Sequence, residues 1–244
     1  MAQKIHFIPL ESDPSIFTGL IHALGVRRLE FQDVLSLELA DLVPTGSLAL
    51  PGPIYALILV FPVTETYEAE LAAAKSRAHL EGTQYAGRGP EEPVIWFQQT
   101  IHNACGLYAI LHAASNLEPE FIDPESPLGD LLGACIDFDP TGRAAALEAS
   151  ATIAAAHLQA ATQGATPVPN AEDEVNFHYV CFVKSPLNGH LYEMDGDRNG
   201  PVDHDASLEG DRDLLSGGLK LVKSYLQNGN PQYQLMALVP RCDN

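Results

Sequence analysis

At 244 residues, with 46% hydrophobic and 18% charged side chains, the chain can bury a large core, which excludes a disordered or low-complexity protein. Its 13 Lys and Arg against 32 Asp and Glu leave a formal net charge of -19, which excludes nucleic acid and anionic membrane as natural partners and favours a basic one. Four widely spaced cysteines (Cys105, Cys135, Cys181, Cys242) form no C-x-x-C pair, so reduced thiols are expected, with no disulfide framework, metal or cofactor.

The N-terminal residues lack the apolar core of a signal peptide, and Ile5 to Ile8 reads as an extended piece. Asp13-Pro14 predicts an N-cap followed by proline at the first helical position. The helix buries Ile16, Phe17, Leu20, Ile21 and Leu24 on one face and stops at Gly25. Phe31 to Leu35 reads as a strand or other short element, followed by a proline- and glycine-rich loop through Pro53. Ile54 to Phe61 is almost wholly apolar, as in a strand covered on both faces, and the run to Val63 is too short to cross a bilayer. A cytoplasmic protein with access to the nucleus is therefore expected. Thr64 predicts the cap of a Glu- and Ala-rich helix that runs to about Leu80 and ends at Gly82.

The central stretch, Ile95 to Asn116, predicts a short strand (Ile95 to Phe97), a polar turn, and a helix with a cysteine in its first turn. Asn103 is the expected N-cap, which puts Cys105 at about the second helical position, where the helix dipole favours a thiolate. Leu107, Ile110, Leu111 and Ala114 mark the buried face. Gln99 is a candidate donor to an oxyanion, with Gln98 as the neighbour that competes for that role. Ser126-Pro127 and Asp139-Pro140 open two further helices, the second reaching about His157. Gln159 to Glu174, with two prolines and a glycine, predicts a long exposed loop. Asn176 to Val183 and His190 to Asp195 predict a hairpin, Asp213 to Leu226 a last helix weakened by Gly217-Gly218, and Gln232 to Val239 the closing strand. This order predicts one domain with a largely antiparallel sheet flanked by helices.

A thiol nucleophile needs a base and a group to orient it. With a hairpin loop at Ser185 to Asn188, His178 and Asp195 stand directly opposite on one face, with Cβ atoms about 4.5–5.5 Å apart. A register slip of one would substitute Met194 or Gly196. His102 is the rival base, close in sequence to Cys105 but without an evident orienter. His22, His79, His112, His190 and His204 read as structural or solvated. Cys135 and Cys181 read as core packing and Cys242 as tail.

The motifs Q-T-I-H-N-A-C-G (Gln99 to Gly106), F-H-Y-V (Phe177 to Val180) and G-H-L-Y-E-M-D-G (Gly189 to Gly196) resemble those of the ubiquitin C-terminal hydrolases. Ile8 to Pro14 and Leu59 to Glu68 extend the resemblance over essentially the whole chain. It implies Cys105 as nucleophile, His178 as base and then acid, Asp195 as orienter and Gln99 as oxyanion donor. It further implies a papain-like α/β fold over residues 1–244, with a mostly antiparallel six-stranded sheet, a knotted backbone and an active-site crossover loop at about 156–173. Pro9, Leu10 and Glu11 resemble a ubiquitin-contacting segment. The implied partner is ubiquitin, or another modifier such as NEDD8, for a monomeric enzyme resembling the short family members. The alternative is a non-catalytic module that binds ubiquitin.

Overall fold

A computed structural model describes residues 5–164, 176–205, 213–226 and 232–241. Six strands form one sheet, all pairs antiparallel: β1 (Leu29–Asp33), β2 (Ala56–Pro62), β3 (Phe177–Lys184), β4 (Leu191–Met194), β5 (Val202–Asp203) and β6 (Gln234–Pro240), in the order β1-β6-β2-β3-β4-β5. The central strands are buried on both faces because helices cover both. Ala56, Ile58 and Val60 of β2, with Tyr179, Cys181 and Val183 of β3, pack under α1 (Pro14–Leu24), α4 (Cys105–Ser115) and α5 (Pro127–Cys135). Leu57, Leu59 and Phe61, with Val180 and Phe182, face α8 (Leu214–Leu226).

Local chemistry explains the helix boundaries. Asp13 caps α1 by accepting from the Ser15 and Ile16 N–H groups, and Gly25 ends it in the left-handed region at φ 112°. Thr64 caps α3 (Glu65–Glu81), and Gly82 closes it at φ 63°. A side chain on Gly218 would meet Leu57 Cδ1 at 2.6 Å, so Gly218 is what lets α8 lie close on β2.

Several expectations are corrected. The element expected at Phe31 to Leu35 is a strand that begins two residues earlier, and a short helix, α2 (Leu39–Leu42), interrupts the loop after it. The single helix from Asp139 divides into α6 (Pro140–Glu148) and α7 (Ala151–Ala161), because Ser150 accepts from the Ile153 N–H and so starts a new helix. Helix α7 continues through Gln159, Ala160 and Ala161, all good helix formers, so residues 156–161 are helical and not loop. Residues 165–173 of the expected crossover loop lie outside the described residues.

Ile95 to Phe97 pairs with no strand among the described residues. Side chains of α4 and the residue after it take the place of a neighbouring backbone. Asn116 accepts from the Ile95 N–H at 2.8 Å and donates to the Ile95 carbonyl at 3.1 Å, while the Phe97 N–H meets His112 Nε2 at 3.1 Å. Burial pushes His112 down to about 4, so the ring is neutral and structural. Asn116→Ala strands both Ile95 groups, and an unmet buried group costs about 1–3 kcal/mol. The expected result is a lower urea midpoint with an unchanged slope, and a wild-type midpoint would remove this account of the segment.

Candidate active site

Cys105 is the first residue of α4, one position earlier than expected, because the cap is Ala104 and not Asn103. Asn103 turns the chain instead, in the left-handed region at φ 59°, which Asn tolerates better than most residues. Ala104 offers no side-chain acceptor, so the cap residue itself makes no side-chain bond to the first-turn N–H groups of α4. That is the terminus suited to an oxyanion. Gly106 lets α4 approach the N-terminal segment, since a side chain there would lie 3.3 Å from Leu10.

The hairpin register differs from expectation by two. Cys181 pairs with Met194 and Phe182 with Glu193, with Ser185 and His190 closing the loop through the Ser185 N–H at 2.9 Å. The loop is Pro186 to Gly189, turned at Gly189 with φ 73°. Strands have period two, so a slip of two keeps every side chain on its face. His178 and Asp195 thus remain on the same side, diagonal and not directly opposite. Asp195, just past β4, reaches back so that His178 Nε2 lies 2.8 Å from its Oδ1. Asp197 follows on the same side, its Oδ2 3.8 Å from His178 Nδ1.

Asp195 is fully buried and His178 nearly so. Burial alone would lower the His178 titration, but the Asp195 charge and hydrogen bond, with further hydrogen-bonding and charge interactions from Cys105, raise it well above the ordinary value. Burial pushes Asp195 up, and this is outweighed by the His178 charge and by hydrogen bonds from His178, Tyr67 and the Asp197 N–H, which bring it down to about 2. Cys105 Sγ sits 4.0 Å from the Phe177 carbonyl, beside the start of β3.

Three groups around Asp195 were missed in the sequence. The Tyr67 hydroxyl donates to Asp195 Oδ2 at 2.6 Å, Arg198 Nε lies 3.6 Å from the same oxygen, and Trp96 Nε1 donates to the Asp195 carbonyl at 3.0 Å. Tyr67 stands in the F-P-V-T-E-T-Y-E motif, which offered a signal without a role.

Cys105, His178 and Gln99 line one cleft of about 1180 Å³. The Gln99 N–H donates to the Gly196 carbonyl at 2.8 Å, and a side chain on Gly196 would meet Gln99 Cβ at 2.9 Å, so glycine is required beside it. Gln98 is exposed, which separates it from Gln99. His102, the rival base, also lines the cleft, but its ring stacks on His6 with centroids 4.9 Å apart. Pro9, Leu10 and Glu11 form part of the wall. Leu10 is 6% exposed and packs in the core, while the Tyr179 hydroxyl donates to its carbonyl at 3.1 Å and His157 Nε2 to the Ile8 carbonyl at 2.8 Å. Cys135 and Cys181 are buried, as expected, and Cys242 lies outside the described residues.

A family model described as ubiquitin carboxyl-terminal hydrolase, family 1, matches residues 7–227. The ubiquitin carboxyl-terminal hydrolase isozyme L1 of Macaca fascicularis is 33% identical over 234 residues, covering 94% of this chain and 96% of the relative. Ubiquitin carboxyl-terminal hydrolase YUH1 of Saccharomyces cerevisiae is 29% identical over 233 residues, covering 92% and 90%. The fold is shared with the UCH37 catalytic domain of Trichinella spiralis, crystallised bound to ubiquitin vinyl methyl ester. Its TM-score is 0.68 at 24% identity, over 97% of this chain and 96% of that one.

Asp195→Asn removes the charge that holds the His178 imidazolium, leaving burial to dominate, so His178 is expected to titrate at lower pH in the variant. A raised folded value means that wild-type His178 contributes stability fully present below its unfolded value of about 6.5 and lost as pH rises through the folded one. The stability gap between wild type and variant should therefore be widest below about pH 6.5 and narrow at higher pH. It should close again only as pH falls through about 2, where Asp195 takes up its proton. Denaturation across pH, with the ring protons of His178 followed by NMR, checks this. A gap that widens with rising pH would contradict it.

Proposed function

The chain belongs to family 1 of the ubiquitin carboxyl-terminal hydrolases, and on that premise we propose that its acyl transfer runs through Cys105, His178, Asp195 and Gln99. It is a thiol-dependent ubiquitin C-terminal hydrolase. The observation that carries the residue assignment is geometric: a cysteine at a helix N-terminus shares a cleft with a histidine whose Nε2 is held by a buried carboxylate at 2.8 Å.

With Nε2 committed to Asp195, Nδ1 is the His178 nitrogen that takes the Cys105 proton. The sulfur attacks the carbonyl carbon of the terminal glycine of ubiquitin. The Cys105 N–H and the Gln99 side-chain amide donate to the oxyanion that forms. The imidazolium then gives its proton to the leaving group as the bond to ubiquitin breaks, and an acyl group remains on Cys105. Water, deprotonated by His178, cleaves that thioester and releases ubiquitin with a free carboxylate. Asp195 keeps its charge throughout and holds the imidazole in the productive tautomer.

Ubiquitin is the partner assigned. The net charge of -19 fits a basic tail, and a protein of the same fold is bound to ubiquitin vinyl methyl ester. Pro9 and Glu11 on the cleft wall are assigned to substrate contact. Small or flexible adducts as leaving groups, a monomeric state and a cytoplasmic site of action complete the proposal. NEDD8 is the competing modifier, and a non-catalytic binding module is disfavoured because all four chemical positions are filled and three of them line one cleft.

Ubiquitin carrying a C-terminal vinyl methyl ester tests the assignment, with a NEDD8 probe alongside. One adduct is expected on the wild type and none on Cys105→Ala, and an adduct that survives Cys105→Ala overturns the choice of nucleophile. Gln99→Ala should lower kcat by about 10²–10³ with little change in KM, the effect of removing one oxyanion donor.

A further inference from the structure

Helix α3 is attached to the body in an unusual way. Of its residues Glu65–Glu81, only Tyr67, Leu71, Ala74 and Ala78 are not exposed, a stripe at i, i+4, i+7 and i+11 one side chain wide, and only Ala78 is buried. So little apolar surface cannot seat a 17-residue helix by burial. Hydrogen bonds from the stripe go instead to the loop that carries Asp195. The Tyr67 hydroxyl donates to Asp195 Oδ2 at 2.6 Å, and Asn199 Nδ2 donates to the Ala74 carbonyl at 3.1 Å.

The Asp195 carboxylate can turn about its bond to Cβ unless both oxygens are held. Oδ1 receives His178 Nε2 at 2.8 Å and the Asp197 N–H at 2.9 Å. Among the described residues, Oδ2 has two polar neighbours, Tyr67 and Arg198. Arg198 Nε is 3.6 Å away, too far for a hydrogen bond, and lies 2.7 Å from Glu193. Tyr67 is therefore the donor that fixes the plane. Its ring is set edge-on against Phe61 with centroids 5.2 Å apart, and lies 5.5 Å from the His178 ring. Burial, then the Asp195 charge, push the Tyr67 hydroxyl far above its ordinary range, so it stays a donor at every working pH. The same side chain lines both the active-site cleft and a second cavity of about 230 Å³ behind it.

We propose that Tyr67 is a positioning residue: by fixing the plane of the Asp195 carboxylate it aligns His178, so the seating of α3 sets the alignment of the base. The inference rests on the assignment of His178 and Asp195 above.

The test is steady-state kinetics on a fluorogenic C-terminal amide of ubiquitin, with the downfield proton NMR signal of the His178 ring N–H that faces Asp195. Tyr67→Phe removes one oxygen and keeps the ring. It should lower kcat about tenfold, the value of one hydrogen bond to a charged group, with KM within about twofold. The ring N–H signal should broaden or move upfield in the free enzyme. Asn199→Ala, which loosens α3 without touching Asp195, should lower kcat in the same sense by a smaller factor, and this variant decides alone if Tyr67→Phe fails to fold. Wild-type kcat in the variant measured, or an effect confined to KM, overturns the inference. Asp195→Asn separates the two levels. If it retains wild-type kcat, the reading of the base itself fails; if it is crippled while Tyr67→Phe is not, only the role of Tyr67 fails.

Discussion

A carboxylate with no exposed surface survives as an anion only if donors replace the water it has lost. Asp195 is 0% exposed, and the donors to its carboxylate come from three separate stretches of chain: His178 from β3, Tyr67 from α3 and the Asp197 N–H from its own loop, while Trp96, from the segment ahead of α4, holds its main-chain carbonyl. Each of those stretches is oriented by the need to reach it. The hairpin end must curl back toward β3, α3 must turn its narrow stripe inward, and the Ile95–Phe97 run must lie against the Asp195 loop. The site is assembled where these demands intersect, which is why the cleft joins Gln99 and Cys105 to His178, far along the chain.

What the sequence made legible follows from this. Helix ends announced themselves because capping is local: Asp13, Thr64, Ser126 and Asp139 each accept from an N–H two or three residues on, as their residue type demands. The pairing of His178 with Asp195 was found through a wrong register, and survived because a slip of two preserves the face of every side chain. The failures were tertiary. The run at Ile95 looks like a strand by composition, and nothing local says that His112 and Asn116, 15 and 21 residues from their partners, will supply its hydrogen bonds. Tyr67 was invisible for the same reason: its partner is 128 residues away.

Asn103 illustrates how a local rule yields to function. By type it is a strong helix cap, and a cap there would occupy the N–H groups at the start of α4. The chain instead puts Asn103 in the left-handed region and gives the cap position to Ala104, which cannot bond to them. Forgoing a cap of this kind costs about 0.5–2 kcal/mol. What is gained is a helix terminus, with Cys105 as its first residue, whose donors are not already spent on the side chain of the cap residue.

The parts of the cleft differ in how they are held, and the difference follows its chemistry. Cys105 opens α4, a helix buried along every residue from Gly106 to Ser115, and His178 lies in a strand with neighbours on both sides. The walls differ: the Leu10 region packs in the core, whereas α3 buries only Ala78 and is fastened through the hydrogen bonds of Tyr67 and Asn199. Local opening is governed by how much apolar contact and how many protected hydrogen bonds an element must give up. The element that yields first is therefore α3, which carries a donor to the group that orients the base, while the nucleophile and the base stay on the most deeply packed helix and strand.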